Sequence, residues 1–437
     1  MSKQVIRAKE GRSGRRAIGA VALLCLLGAP VFGQGTWVIK APMPTARSAV
    51  AASAVDGILY AMGGCNASGN PVAVVEAYDP KTDTWITKSP MPAARCAVAA
   101  SVINGLIYVV GGFRRVGQIG FAQELATLEV YDPKGDTWSV KAPMPTPRAA
   151  LAAGVVGGVL YVVGGEGYQS GVLPTVEAYD PISNAWVRKA PMPTPRAGLV
   201  ASSINGKLYV TGKTEPRFQP TLEVYNPITN SWTLETSMPT PRSWAASGVV
   251  EDEFYVVGGI GQDGNASRSV EAFDLHSHIW SARAPLPTAR LGLGAAVIED
   301  ILYAIGGEVR RNPVRANEAF SPFLPISIDI KPGDANNMLN LKSNGTVAVA
   351  ILSTAEFGAT TVDPATVKLA GAPVATQGRG IPMTSVADLN RDGRLDLLLH
   401  FRTQDLQLTP TSTEAVLKGK TFSGQLIRGV DSIRLVP

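Results

Sequence analysis

The residues of this chain that could do chemistry recur at a fixed spacing. Six arginines (Arg47, Arg95, Arg148, Arg196, Arg242, Arg290) and six glutamates (Glu76, Glu129, Glu177, Glu223, Glu271, Glu318) each fall once per interval of 46 to 53 residues. An acid–base active site needs two carboxylates in different environments, not six equivalent copies. The repetition points instead to one structural brace per unit, an ion pair between strands or between units. The forked guanidinium suits a partly buried carboxylate. Only three histidines are present, His276, His278 and His400. The pair His276-Ser-His278 could turn two rings toward a metal, but no Cys or third His is near in sequence, so both read as exposed turn residues. A Ser/His/Asp hydrolase lacks its base for the same reason.

One segment does have metal-ligand spacing. Asp388-Leu-Asn390-Arg-Asp392-Gly393-Arg394-Leu-Asp396 places side-chain oxygens at positions 1, 3, 5 and 9. Gly393 stands at position 6 for the turn, and the carbonyl of Arg394 is available at position 7. Leu399 occupies position 12, where an EF-hand has a bidentate Glu, and a strand-like run follows rather than a helix. The segment resembles the calcium loops of β-rich extracellular repeats, which implies weak calcium binding in a structural role.

The elements that position these groups are short strands. Tryptophans at 37, 85, 138, 186, 232 and 280 are each followed by a near-copy of Met-Pro-Thr-Pro-Arg, from Met43–Arg47 to Leu286–Arg290. Next come a small apolar run, a Gly or acidic turn, a strand such as Leu59-Tyr-Ala-Met-Gly-Gly64, and a strand ending in Tyr-Asp-Pro, as at Tyr78-Asp-Pro80. Four β-rich runs bounded by turn residues make a small twisted sheet that cannot bury both faces alone. Arranged radially, six such sheets cover one another and keep their edges short. The diglycine, the spaced Tyr and Trp and the period near 50 residues resemble the kelch family over residues 34–322, which implies an all-β fold built on a six-bladed kelch β-propeller. The first Trp strand precedes any innermost strand and the last repeat lacks one, so residues near 37 are expected to pair with residues near 320.

Within such a ring, function should lie where the repeat is broken. The segments after each Arg and after each Gly-Gly share one rim. It carries Asn66, Phe113, Arg114, Arg115, Glu166, Tyr168, Lys213, Arg217, Phe218, Gln262, Asp263, Glu308, Arg310 and Arg311. Trp244 is the only tryptophan outside the repeat, two residues beyond Arg242 where other units have Ala or Gly. There it could stack on a sugar, anchor a peptide, or simply plug the channel. Cys65 and Cys96 reach this rim from adjacent blades and form one bridge or none. The fourth repeat replaces the diglycine by Gly212-Lys213.

Residues 1–33 read as a secretory signal peptide, with basic residues up to Arg16 before the apolar run Ala17–Phe32. That run is too short to span a bilayer, and a membrane-embedded protein is not expected. The leader holds six of the 40 basic residues and one of the 35 acidic ones, so the remainder is neutral. The apparent basicity therefore belongs to the leader, and nucleic acid is not an expected partner. After Pro322-Phe-Leu-Pro325 the signature ends. Residues 323–437 read as a small β-sandwich-like domain with strands at 346–352, 367–369, 395–401 and 432–436, resembling C-terminal modules of bacterial secreted proteins. The chain is thus expected to be a secreted, non-catalytic module that binds a protein or a glycan. The alternative is a sugar-modifying enzyme, because six-bladed kelch sialic-acid mutarotases share the architecture. The copper oxidases of similar fold need axial His ligands, which this rim lacks.

Overall fold

In a computed structural model, residues 35–116, 121–212 and 220–436 are described. The expected leader, residues 1–33, and the rim positions Lys213, Arg217 and Phe218 lie outside them. Each repeat folds as a four-stranded antiparallel blade. The first is Ala51–Val55, Ile58–Met62, Val75–Asp79 and Thr84–Lys88, with the strands in sequence order. Blades 2 to 5 repeat the pattern, with innermost strands Ala99–Ile103, Ala152–Val156, Val200–Ile204 and Ala246–Val250. Blade 6 is Leu291–Ile298, Ile301–Val309 and Asn317–Ser321, completed by Thr36–Ile39 from the other end of the chain. Trp37 pairs with Phe320, as the repeat register requires. Each innermost strand packs on those of its two neighbours, and the sixth packs on the first, so the ring is closed.

The diglycines explain how blades come so close. The second glycine donates its N–H to the carbonyl of the next blade's arginine, from Gly64 to Arg95 and round to Gly307 with Arg47. A Cβ on the first glycine would meet that same carbonyl, at 2.6 Å from Gly63 to Arg95 O and 2.7 Å from Gly306 to Arg47 O. Only glycine tolerates both the approach and the positive φ of these positions. The six repeated tryptophans then tie neighbours together from outside. Each indole N–H donates to a backbone carbonyl leaving the preceding blade, at 2.7–3.0 Å.

The arginines and glutamates pair within each blade, not between blades. Arg47, Arg95, Arg148, Arg196, Arg242 and Arg290 are fully buried, 2.5–2.9 Å from Glu76, Glu129, Glu177, Glu223, Glu271 and Glu318 in turn. The guanidinium starts ahead of the innermost strand and reaches the third, donating on the way to carbonyls at the end of the second, such as Gly63 O at 2.7 Å. Burial lowers the pKa of every one of these arginines, that of Arg242 to about 10.

Beyond the ring, two sheets face each other across an apolar core that includes Ile330, Val349, Leu369, Leu399, Phe401 and Leu417. One is Ser327–Ile330, Thr346–Leu352, Asp396–Arg402 and Thr384–Ala387; the other contains Leu426–Ser432, Glu414–Thr421 and Val362–Leu369. This is the expected sandwich, but Glu414–Thr421 was not foreseen, and the final strand read at 432–436 is divided into the end of Leu426–Ser432 and Arg434–Leu435. The described residues pack as one compact unit. No helix among the described residues is long and apolar enough to cross a membrane.

Cys65 and Cys96 form a disulfide between blades 1 and 2, with Cα atoms 5.4 Å apart. Its reduction should lower stability by about 3–4 kcal/mol, the loop-closure value for a loop of this length, measured by denaturant unfolding with and without dithiothreitol. Replacing Arg148 by Met strands a buried carboxylate and should cost about 3–5 kcal/mol in the same assay. A loss below about 1 kcal/mol would mean the pair behaves as a solvated surface bridge.

Candidate functional site

The rim is built from the residue after each arginine and the residue after each diglycine, which bridge one another in the blades where both are described. Ser48 pairs with Cys65, Cys96 with Phe113, Ala149 with Glu166, Ser243 with Ile260, and Leu291 with Glu308. The two segments therefore share one face, as antiparallel geometry demands. On the opposite face lie the tight turns joining the first and second strands, such as Asp56-Gly57 and Asn104-Gly105, with positive φ at both positions.

At the centre of the rim six backbone amides form a closed ring. Ala97 donates to Ala49, Ala150 to Ala97, Gly198 to Ala150, Trp244 to Gly198, Gly292 to Trp244 and Ala49 to Gly292, at 2.7–3.1 Å. All six residues have φ between 49° and 62°. Every N–H and carbonyl of the ring is consumed by its neighbours, leaving no backbone donor for a ligand. Beneath it Val50, Val98, Leu151, Leu199 and Leu293 line a cavity of only about 110 Å³.

Five ring positions carry nothing larger than a methyl group. The sixth is Trp244, held at φ 53°, a left-handed conformation costing a residue with a Cβ about 1–2 kcal/mol. Its indole lies over Gly198, where an added Cβ would sit 3.1 Å from Cδ1 and Nε1. It packs with Phe113, Cys65, Ala49 and Ala197 on a small cluster of Cys96, Ala97, Ala149 and Ala150. The disulfide is part of this seat. Unlike the six structural tryptophans, half-buried Trp244 has no hydrogen-bond partner for its Nε1 among the described residues.

The other rim residues surround this seat at increasing distance from the axis. Phe113, Glu166 and Glu308 stand directly after their diglycines. The Glu166 carboxyl is pushed above its ordinary pKa by partial burial and by Glu124, on the facing strand of blade 2's rim hairpin. Sequence reasoning passed over Glu124 because nothing in the repeat marks it. Farther out, Arg114 donates to Gln123 at 2.9 Å and Arg115 to the Gly69 carbonyl of blade 1 at 3.0 Å, bracing the hairpin. Tyr168 is 83% exposed on blade 3's short hairpin. Arg310 and Arg311 form the tip of blade 6's, both at positive φ. Asn66 and Asp263 serve their own loops: Asn66 accepts the N–H groups of Ser68 and Asn70, and Asp263 binds Asn265 through both carboxylate oxygens.

His276 and His278 lie in a turn on the opposite face, and His400 lies in the sandwich strand Asp396–Arg402. In blades 1 to 4 the left-handed turn residue is Asp83, Asp136, Asn184 or Asn230, accepting the hydroxyl of Tyr78, Tyr131, Tyr179 or Tyr225 at 2.5–2.7 Å. In blade 5 that tyrosine is Phe273 and the turn residue is His278, which packs edge-on against Phe273 and sits 2.8 Å from Glu235.

In the sandwich, the Asp388–Asp396 segment is a self-organised turn. Asp388 accepts the N–H groups of Asp392 and Gly393 at 3.1 and 3.0 Å, and Asn390 accepts that of Asp392 at 3.1 Å. Asp392 accepts the Arg394 N–H at 2.9 Å, with that guanidinium 3.2 Å away, and both hold its carboxyl below the usual range. Asp396 is buried and accepts from Leu389 and Ser353. Among the described residues no three His, Cys, Asp or Glu side chains converge as an ion site. Asp388, Asn390 and Asp392 with the Arg394 carbonyl are the hard oxygen donors such a loop offers a cation.

The family model "KLHDC2/KLHL20/DRC7 Kelch-repeats domain" matches residues 34–165 and 139–307. Among curated relatives, an influenza virus NS1A-binding protein homolog of Mus musculus is 54% identical over 46 residues, covering 10% of this chain and 7% of that protein. Kelch-like protein 4 of Homo sapiens is 58% identical over 38 residues, covering 9% and 5%. The chain therefore spans less than a tenth of the length of these relatives. The solved structure of YjhT covers 68% of this chain and 98% of its own, with a TM-score of 0.55 and 17% identity, a likeness of fold alone. With six blades, six buried Arg–Glu braces and a family model matching most of the ring, this chain belongs to the kelch-repeat family of β-propellers, whose general use is as protein-interaction modules.

Proposed function

We propose that the rim is the binding surface of a secreted, non-catalytic recognition module for a protein or glycan ligand, centred on Trp244. The observation that carries this reading is the large, half-exposed aromatic side chain at the axis, at a ring position where the other five blades carry only Ala or Gly. An indole pairing an apolar face with one donor suits either a sugar ring or a peptide side chain backed by a carbonyl. The conspicuous acids and bases are spent on the braces, so they favour binding over acid–base chemistry. A disulfide between blades fits an oxidising compartment and hence the sequence-based expectation of secretion.

A structural calcium ion in the Asp388–Asp396 loop is the second part of the proposal. It rests on the order of the oxygen-bearing residues Asp388, Asn390 and Asp392, with Gly393 at φ 84° and Asp388 accepting the N–H groups of Asp392 and Gly393.

The ligand class can be read from glycan and peptide arrays probed with the full chain and with Trp244→Ala. Truncating an anchor in the middle of a binding patch should weaken capture by about 2 kcal/mol or more, some thirtyfold, with the melting curve little changed. Equal binding by the variant would remove Trp244 from the site, and absence of any saturable ligand would overturn the recognition reading. For calcium, millimolar concentrations should stabilise the chain by about 1–2 kcal/mol over chelator if the affinity is that of an extracellular module. Asp392→Ala should abolish the difference, and identical melting curves in calcium and chelator would end the assignment.

A further inference from the structure

The turn joining the first and second strands contains glycine in blades 1 to 4: Asp56-Gly57, Asn104-Gly105, Gly157-Gly158 and Asn205-Gly206. In blades 5 and 6 it is Glu251-Asp252 and Glu299-Asp300. Glu251, Glu299 and Asp300 hold φ of 50°, 48° and 64°, a backbone that Asn and Gly adopt more cheaply. Two blades out of six thus keep a poorer turn sequence, and both lie against the sandwich. Lys418, on Glu414–Thr421, places its ammonium 3.1 Å from Glu251 of blade 5 and in contact with Asp300 of blade 6. Burial disfavours that ammonium, yet Asp300 and Glu251 outweigh it and hold its pKa above the ordinary lysine value. The same ammonium lies 5.6 Å from the ring centre of Phe323. Lys420 approaches Asp274 of blade 5 at 3.8 Å. Leu426 is buried in the core cluster shared by blades 5 and 6, with Tyr255, Leu302, Phe320 and Phe323.

We infer that the C-terminal sandwich is a strap across the junction of blades 5 and 6, fastened by Lys418, and that it secures the closure of the ring. Blade 6 is the blade assembled from both ends of the propeller sequence, so its outer strand, Thr36–Ile39, has no covalent turn to hold it. Opening there parts Thr36–Ile39, which runs on into blade 1, from Asn317–Ser321, and Trp37 packs against the same cluster that buries Leu426 of the sandwich. On the rim side the blade 5–6 junction is held by the Gly292 N–H on the Trp244 carbonyl, at 2.8 Å. On the far side it is held by Lys418, which touches both blades at once.

The test exploits the opposition between turn preference and strap. Asp300→Gly restores a glycine turn like those of the other blades, while Lys418→Met removes the ammonium and keeps the stem. In the full chain, amide exchange of Thr36–Ile39 should rise several-fold in either variant, and calorimetry should resolve two transitions where the unaltered chain shows one. The double variant should be no worse than the worse single one, since both remove the same contact. A gain in stability from Asp300→Gly with unchanged exchange at Thr36–Ile39 would show that only turn preference matters and would overturn the strap. So would full additivity of the two changes. Misfolding of one variant leaves the other, and the charge-exchanged pair Lys418→Asp with Asp300→Lys, as independent readings.

Discussion

Everything in the propeller depends on one buried ion pair repeated six times. The arginine side chain crosses its own blade and holds first-, second- and third-strand segments together through carbonyls and a glutamate. Its main-chain carbonyl meanwhile accepts the second diglycine N–H of the preceding blade where that glycine is present. One residue therefore sets both the width of a blade and the distance to the next. This is why Met-Pro-Thr-Pro-Arg and Gly-Gly travel together. Burying such a pair gains little over apolar packing, but removing one partner leaves a charge in low dielectric. The brace is consequently unforgiving rather than strongly stabilising. Thr45, Thr146 and Thr240 soften the cost by donating to the second carboxylate oxygen in three blades, whereas in blade 4 Thr194 donates to the same Oε1 of Glu223 that Arg196 holds. In blade 2 that position is Ala93, and there burial raises the pKa of Glu129 despite Arg95.

Because the brace consumes the repeated charges, and the axial ring consumes the central amides, a ligand can be recognised only by what the repeat leaves free. That set is small: the Trp244 indole, the disulfide and Phe113 beside it, and the side chains of the loops after the diglycines. The loops are uneven. Blades 2 and 3 raise hairpins, whereas blades 1 and 5 turn back at once through Asx-type bonds. The rim is thus asymmetric although the ring beneath it is not, and an asymmetric partner can take one orientation on it.

How much of this was legible in the sequence follows from which interactions repeat. The blade count, the pairing of Trp37 with Phe320 and the structural role of the Arg and Glu series could be read because each is stated six times. The rim could be read because antiparallel strands fix which segments share a face. The disulfide could be allowed but not settled, since the approach of Cys65 to Cys96 depends on blade-to-blade spacing. His278 as a replacement turn residue was hidden because its partner change, Tyr to Phe273, is informative only once both are seen to touch. Glu414–Thr421 was missed because its inward positions beyond Leu417 are Gly419 and Thr421, too small or polar to mark an apolar face, and the charges of Lys418 and Lys420 make sense only against the propeller.

Those lysines show how the two halves of the chain divide the surface. A strand carrying Lys-Gly-Lys would be a poor core strand alone, and a turn of two acids at positive φ would be a poor hairpin alone. Each defect is matched by the other, and both lie on the face opposite the rim. Docking there covers blades 5 and 6 and leaves the described rim loops open. An arrangement in which the sandwich sat over the axis would have hidden Trp244 and left the junction of blades 5 and 6 exposed. The local rules broken in blades 5 and 6 are therefore a record of domain contact, whereas Trp244 shares its positive φ with Ala49, Ala97 and Ala150 of the ring, and what sets it apart is the size of its side chain.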